Sequence, residues 1–263
     1  MRRVSVWILN GIVLLLVVYL VWLRHAIVIR QEATPVSAAL PEISAVERKA
    51  LPDARVGEKI TYDIKMGPAT LGRCLFQNLK QTDYKGRPVN HIVFETQMAR
   101  FKDRETIFSD AELFLPLKVE RDIRAWPNYE VITEDYDQQL FTLTLTKRKG
   151  KKEEVTRITR QGPIHNAILL PYHVRIIEGI QPGWSMQVNL PTQAFKIKLI
   201  RLEEVRVPAG SFKAYYFESE PKRFQIWISA DNRRIPVKIT GSGAIGYTLA
   251  MREYQSGRPV EEQ

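Results

Sequence analysis

The sequence predicts a mainly β protein. Its core is a large curved antiparallel sheet, half-barrel-like, with one packed helix and an N-terminal transmembrane helix ahead of it. Three observations predict this. After Gly57, apolar and polar residues alternate along most of the chain, the period of a strand with one buried face. These segments follow one another through turns rich in Gly, Pro, Asn and Asp, without helical crossovers, and that makes the sheet antiparallel. Before them stands a continuous apolar run flanked by arginines.

That run, Val6 to Leu23 (VWILNGIVLLLVVYLVWL), is interrupted only by Asn10, and no acidic residue precedes Glu32. At about 1.5 Å per residue it reaches ~27 Å as a helix, close to the ~30 Å of a hydrocarbon core. Trp7, Tyr19 and Trp22 lie near its ends, where amphipathic rings prefer the headgroup zone. A buried core helix would not be apolar on every face. A cleaved signal peptide needs its small-residue site close to the run, and Val36-Ser37-Ala38 stands well beyond it. No cysteine follows for a lipid anchor. Arg2 and Arg3 balance Arg24 and Arg30, so charge barely sets orientation, and the short leading segment favours an inside N-terminus with the body exported.

The domain reading is therefore 1–30 membrane anchor, 31–55 linker with three prolines, 56–255 antiparallel β domain and 256–263 polar tail. Within the body, Ile60, Tyr62, Ile64 and Met66 open the first strand, and Ile92, Phe94 and Met98 mark another. Phe141, Leu143 and Leu145 alternate with Thr142, Thr144 and Thr146 in the clearest half-buried strand. Later strands read Trp184 to Leu190, Phe195 to Leu199, Phe224 to Ile228, Ile235 to Ile239 and Ile245 to Met251. Lys85-Gly86, Lys149-Gly150, Pro208-Ala209-Gly210 and Asp231-Asn232 are the turns. The exception is Pro163 to Gly179, where Ile168, Leu169, Tyr172 and Ile176 share a helical stripe, Pro171 starts or kinks the helix and Gly179 caps it.

A set of strings in this order is similar to a known family. Gly57-Glu58-Lys59-Ile60-Thr61-Tyr62-Asp63-Ile64 opens the body, and Phe101-Lys102-Asp103-Arg104-Glu105-Thr106 leads to Ser109-Asp110 and Leu113-Phe114-Leu115-Pro116. Val205 to Phe212 (VRVPAGSF) and Ile226 to Asp231 (IWISAD), running into Arg234-Ile235-Pro236-Val237-Lys238, complete the set. Together they resemble the bacterial exported proteins of domain-of-unknown-function family 3108. The segment Pro163 to Ile177 lacks the acidic–proline pair usual at that family's helix opening. The resemblance implies an exported β body in the bacterial cell envelope, on the periplasmic side of the inner membrane, and it implies no catalytic residue.

Composition narrows the chemistry. A single cysteine, Cys74, excludes an internal disulfide framework and Cys₂ or Cys₄ metal sites within one chain. Gly241-Ser242-Gly243-Ala244-Ile245-Gly246 fits GxGxxG, but a strand pattern follows it where a pyrophosphate site needs a helix. His91, His165 and His173 have no metal-ligand spacing, so neither metal nor cofactor is expected. Beside Arg73, Cys74 reads as a buried thiol, and Ser211 lacks a nucleophile elbow. Asp103, Glu105 and Asp110, with Arg104 among them, read as turn carboxylates that accept backbone N–H groups and pair with Arg or Lys, with a paired-carboxylate site as the functional alternative.

Net charge is +10, which turns attention to anionic partners. The densest run is Lys147, Arg148, Lys149, Lys151 and Lys152 at an expected hairpin tip, suited to lipid headgroups or envelope polysaccharide. Without interleaved aromatics or a reading helix it is not a nucleic-acid site. The functional expectation is a non-enzymatic envelope module that binds an apolar or lipid-like ligand, or else a structural or protein-interaction module without one. If the anchor is retained, N-terminal sequencing of membrane-extracted protein begins at the first residues of the chain; a start near Ala39 refutes retention.

Overall fold

The computed structural model describes residues 55–241 and 246–257. The expected anchor with Trp7, Tyr19 and Trp22, the linker up to residue 54, residues 242–245 and the tail from 258 lie outside the described residues. Among those described, no helix is long and apolar enough to cross a membrane.

The chain first makes eight strands: β1 (Lys59–Met66), β2 (Ala69–Tyr84), β3 (Arg87–Met98), β4 (Phe101–Asp110), β5 (Pro116–Ala125), β6 (Asn128–Asp137), β7 (Thr142–Lys149) and β8 (Lys152–Thr159). Helix α1 (Leu170–Arg175) follows. Six more strands come after it: β9 (Ser185–Asn189), β10 (Ala194–Val207), β11 (Gly210–Glu220), β12 (Phe224–Ser229), β13 (Pro236–Gly241) and β14 (Tyr247–Gln255). All fourteen form one antiparallel sheet in the order β8-β7-β6-β5-β4-β3-β2-β1-β14-β13-β12-β11-β10-β9. The chain thus begins mid-sheet, walks to one edge, crosses to the other edge through α1, and walks back until β14 pairs with β1.

The turns follow their residues. Lys85 and Gly86, both at positive φ (56° and 78°), form the two-residue loop between β2 and β3. Gly150 (φ 60°) turns β7 into β8, with Lys149 opposite Lys152. Gly241 fits the loop reading of its glycine-rich motif. A Cβ there would stand 2.4 Å from the ring of Tyr247, and the element that follows is strand β14. Among the described residues no helix N-terminus follows the motif.

A sheet this wide must curl. The edges do not pair, yet the Arg160 guanidinium just past β8 donates to the carbonyls of Leu190 (3.4 Å) and Pro191 (2.5 Å) just past β9. His165 N–H donates to the Asn189 carbonyl at 2.7 Å, so the crossover covers the β9 edge. The sheet is rolled but open.

The helix occupies the rolled face. Tyr172 stacks on Phe76 of β2 with ring centroids 3.8 Å apart, and Phe114 lies 6.3 Å from Tyr172. Leu170 and Val174 pack instead with Val188, Ile197, Leu199, Phe217, Ile226 and Ile228 of β9 to β12. The expected helix over 163–179 is shortened at both ends. Ile164 makes a parallel bridge to Asn189, and Asn166 turns the chain by accepting the N–H groups of Ile168 (2.8 Å) and Leu169 (3.3 Å). Pro171 then sits in the first turn, where its missing N–H costs nothing. Gly179, at φ 66°, turns the chain after the helix has ended at Arg175.

On the other side of β12 lies a second packing layer. Trp227 rests against Tyr216 (4.9 Å between rings), with the Lys238 ammonium 4.5 Å over its ring and its Nε1 donating to Glu203 at 2.6 Å. Since Ile226 and Ile228 are buried on the opposite face, β12 is covered on both sides. Trp227→Ala is expected to cost about 3–5 kcal/mol and Ile228→Ala about 2–5 kcal/mol, each read as a lowered denaturant midpoint with unchanged slope. A negligible cost for either would show that its face is not packed.

Candidate functional site

Alternation decides which side chains line the rolled face. In β4, Phe101, Asp103, Glu105, Ile107 and Ser109 are the buried set, while Lys102 and Arg104 point outward. Register places Glu105 opposite Arg121 of β5, and Ile123 opposite Glu130 of β6. The same face therefore carries charge among apolar residues.

Arg121 is the hub. Its Nε donates to both carboxylate oxygens of Asp103 at 2.8 and 3.0 Å, its Nη2 to Asp103 Oδ2, and its Nε stands 3.3 Å from Glu105. Burial alone would lower the Arg121 pKa, but Glu105 and Asp103 together outweigh it and raise the value. One strand further, Lys147 reaches Glu130 at 3.1 Å, and the Tyr136 hydroxyl donates to Glu134 at 2.5 Å. Burial and the neighbouring Glu134 push the Tyr136 pKa up, so the phenol stays protonated.

The expected pairing of the acidic cluster with arginine is present, but its placement in a turn is corrected. Asp103 and Glu105 are not turn carboxylates but inward strand residues, 5% and 3% exposed, ion-paired across to β5. Only Asp110 behaves as expected, accepting the N–H groups of Glu112 (2.9 Å) and Leu113 (2.7 Å) in a turn. Arg104 faces out and pairs with Glu95 at 2.5 Å. The partner that sequence reasoning missed is Arg121. Its signal was the Val119-Arg121-Ile123 alternation, a cation on an otherwise apolar strand face.

A second buried ion pair holds the helix. Arg175 Nη1 and Nη2 donate to the two oxygens of Glu58, both at 2.8 Å, and Nη2 also donates to the Arg233 carbonyl at 2.9 Å. The Tyr254 hydroxyl donates to Glu58 at 3.1 Å. Arg55 lies close by, its pKa pushed down to about 10 by burial and by the Arg175 charge.

The remaining residues singled out from sequence fall apart in space. His91 stacks on Phe108 (5.1 Å) away from the other two histidines. His165 and His173 do meet, edge to face at 5.2 Å, because His165 precedes the helix and does not sit two turns along it. Among the described residues no group of three His, Cys, Asp or Glu could hold a metal. Burial pushes the Cys74 thiol up to about 12, and its sulfur lies 3.4 Å from Thr96 Oγ1, so it is a protonated, buried thiol rather than a nucleophile. Ser211 opens β11 at an exposed turn. Lys147 and Arg148 of the basic run are ion-paired, to Glu130 and Glu153, while Lys149, Lys151 and Lys152 stand exposed at the tip.

The family described as "Protein of unknown function (DUF3108)" matches residues 61–252. The chain belongs to that family. Among curated proteins none matches. Of solved structures, a β-barrel-like protein of domain of unknown function DUF1849 from Brucella abortus is similar at a TM-score of 0.50 and 10% identity, covering 77% of this chain and 99% of that one. A putative exported protein with a YmcC-like fold from Bacteroides fragilis aligns over 78% of this chain and 97% of that one, at a TM-score of 0.29 and 10% identity. The first shares the rolled β architecture with this DUF3108 chain.

His165 gives the DUF3108 domain a pH dependence with a definite sign. Burial, then the neighbouring His173, pushes its pKa down to about 4 from the ordinary histidine value. The folded state holds it neutral, so its contribution is complete above about pH 6.5 and is lost as the unfolded chain takes the proton first on acidification. Stability is expected to fall by up to about 3 kcal/mol between about pH 6.5 and 4. His165→Leu should flatten that part of a denaturation-midpoint profile; an unchanged profile would assign the acid sensitivity elsewhere.

Proposed function

We propose that this protein is a bacterial envelope module, held by its N-terminal segment in the inner membrane with the β domain on the periplasmic side. It works by surface interaction rather than catalysis. One observation carries the reading: the rolled face that could have held a ligand is occupied by the protein's own helix. Tyr172 lies against Phe76 and Phe114, Leu170 and Val174 fill the β9–β12 side, and Arg175 is locked to Glu58. A cleft of about 330 Å³ lies open at the surface between β10 and β11, lined by Leu202, Glu203, Glu204, Ser211, Phe212 and Lys213. Small-molecule sites of that volume are normally concave and mostly apolar. Here half the lining side chains are charged.

Family membership and the barrel-like neighbour support the architecture, and the apolar run with its flanking arginines supports the location. Cys74 is protonated and buried, and Asp103 and Glu105 are committed to Arg121, so the candidate catalytic groups singled out in the sequence are otherwise engaged.

A second reading, an apolar or lipid-like ligand in the rolled face, draws on the β3–β7 portion, where Phe94 and Met98 are only partly buried beside the Arg121 cluster. Native mass spectrometry of the full chain released from detergent, with organic extraction of the same sample, separates the two. The interaction module is expected to yield protein without a stoichiometric lipid. A lipid retained one-to-one, and lost in Phe94→Asp, would establish the second reading instead.

A further inference from the structure

Three hairpin tips lie side by side at one end of the β3–β8 half of the sheet. Register fixes this: Met98 pairs with Phe101, Phe101 with Ala125, Ala125 with Asn128, and Lys149 with Lys152. The middle tip carries Trp126, 70% exposed, and Tyr129, 51% exposed, although large aromatic surface is normally removed from water. The Arg100 guanidinium of the β3–β4 tip stands 5.9 Å from the Trp126 ring, and that of Arg124 stands 5.8 Å from the Tyr129 ring. On the other side of the aromatic tip, Lys149, Lys151 and Lys152 project from the β7–β8 turn, and none of them makes an ion pair among the described residues.

We infer that these three tips form a docking surface for an anionic phospholipid bilayer. The inference rests on the proposal above that the module works by surface interaction. Each component has a physical role at such a surface. Indole and phenol rings partition to the headgroup zone, where the ring is sheltered and the polar edge stays wet. Arg100 accompanies Trp126 with charge that meets lipid phosphate, whereas the Arg124 guanidinium beside Tyr129 is already balanced by Asp122 at 3.0 Å. The three lysines add long-range attraction that is felt only within a Debye length, about 8 Å at physiological salt. The neighbouring tips thus supply both kinds of contact, and the aromatic tip enters only if the basic one brings it to the surface. Charge complementarity sets this partner apart from a neutral or apolar one. Lys149, Lys151 and Lys152 have no ion-pair partner among the described residues, and the exposed rings match the lipid interface rather than a packed protein core, which would bury the whole ring.

The test uses the full chain reconstituted through its N-terminal segment into vesicles of phosphatidylcholine alone, or of phosphatidylcholine mixed with phosphatidylglycerol, each with brominated acyl chains. The emission of Trp126 is isolated as the difference between wild type and Trp126→Phe, whose exposed position leaves the fold unaltered by circular dichroism. In the mixed vesicles the Trp126 emission is expected to be quenched, and in phosphatidylcholine alone it is not. High salt, or Lys149→Gln with Lys151→Gln and Lys152→Gln, restores it, because losing three charges lowers the docked-to-free ratio about a hundredfold. Equal quenching in both lipids, or none in either, overturns the inference. A lipid found inside the rolled face would overturn the interaction-module reading without touching this result, so the two failures are distinguishable.

Discussion

The Glu58–Arg175 pair holds the two ends of the architecture together. Glu58 stands at the entry of β1, mid-sheet, and Arg175 closes the helix that carries the chain between the sheet edges. Both side chains are almost wholly buried (2% and 1% exposed), so each would be costly alone. Two parallel hydrogen bonds, the Arg233 carbonyl and the Tyr254 hydroxyl meet both groups, leaving only Arg175 Nε without a partner, and they do so with the helix at one depth and one rotation in the rolled face. Such a pair adds little net stability over an apolar substitute, but it penalises every other placement of α1. A six-residue helix has too few turns to fix its own position.

Topology explains why one helix is enough. Sequential antiparallel pairing lets every strand but one follow its neighbour through a short turn, and β14 beside β1 brings the two walks together. The single long connection runs from β8 to β9, and a sheet rolled through fourteen strands leaves its inner face as the sheltered route for it. Crossing there buries Leu169, Leu170, Tyr172 and Val174, removes the inner face from water, and covers the unpaired side of β9. The other edge, β8, has no such cover among the described residues. Its Lys152, Glu153, Glu154 and Arg157 put charge along the exposed strand, a common safeguard against edge-to-edge pairing.

The charged portion of the rolled face follows the same logic in a different place. Asp103, Glu105 and Arg121 sit where the helix does not reach, and their pairing leaves β4 and β5 only one register that satisfies all three. A shift of one residue would turn Arg121 outward and leave two carboxylates buried without it. Polar pairing here specifies strand order as much as it stabilises the fold.

Much of this was legible from the sequence, because alternation reports a half-buried strand wherever one face is wet. Leu143 against Thr142 and Thr144, Ile60 against Thr61, the Lys85-Gly86 turn and the strand after Gly241 all read correctly on that principle. The family followed from ordered strings that keep their spacing. Alternation does not say which face is inside when both carry polar residues, so the sequence of Asp103 and Glu105 suits a turn as well as a buried strand, and only the register that sets Arg121 opposite Glu105 decides between them. Nor does a helical stripe show where a helix stops: Ile164 left the predicted helix for a bridge with Asn189, distant in sequence. Period, turn chemistry and charge are local properties, and the sequence by itself determined those. The roll of the sheet, the helix lodged within it and the meeting of the Trp126 and Lys149–Lys152 tips were decided only by tertiary structure, because each depends on pairing between residues far apart along the chain.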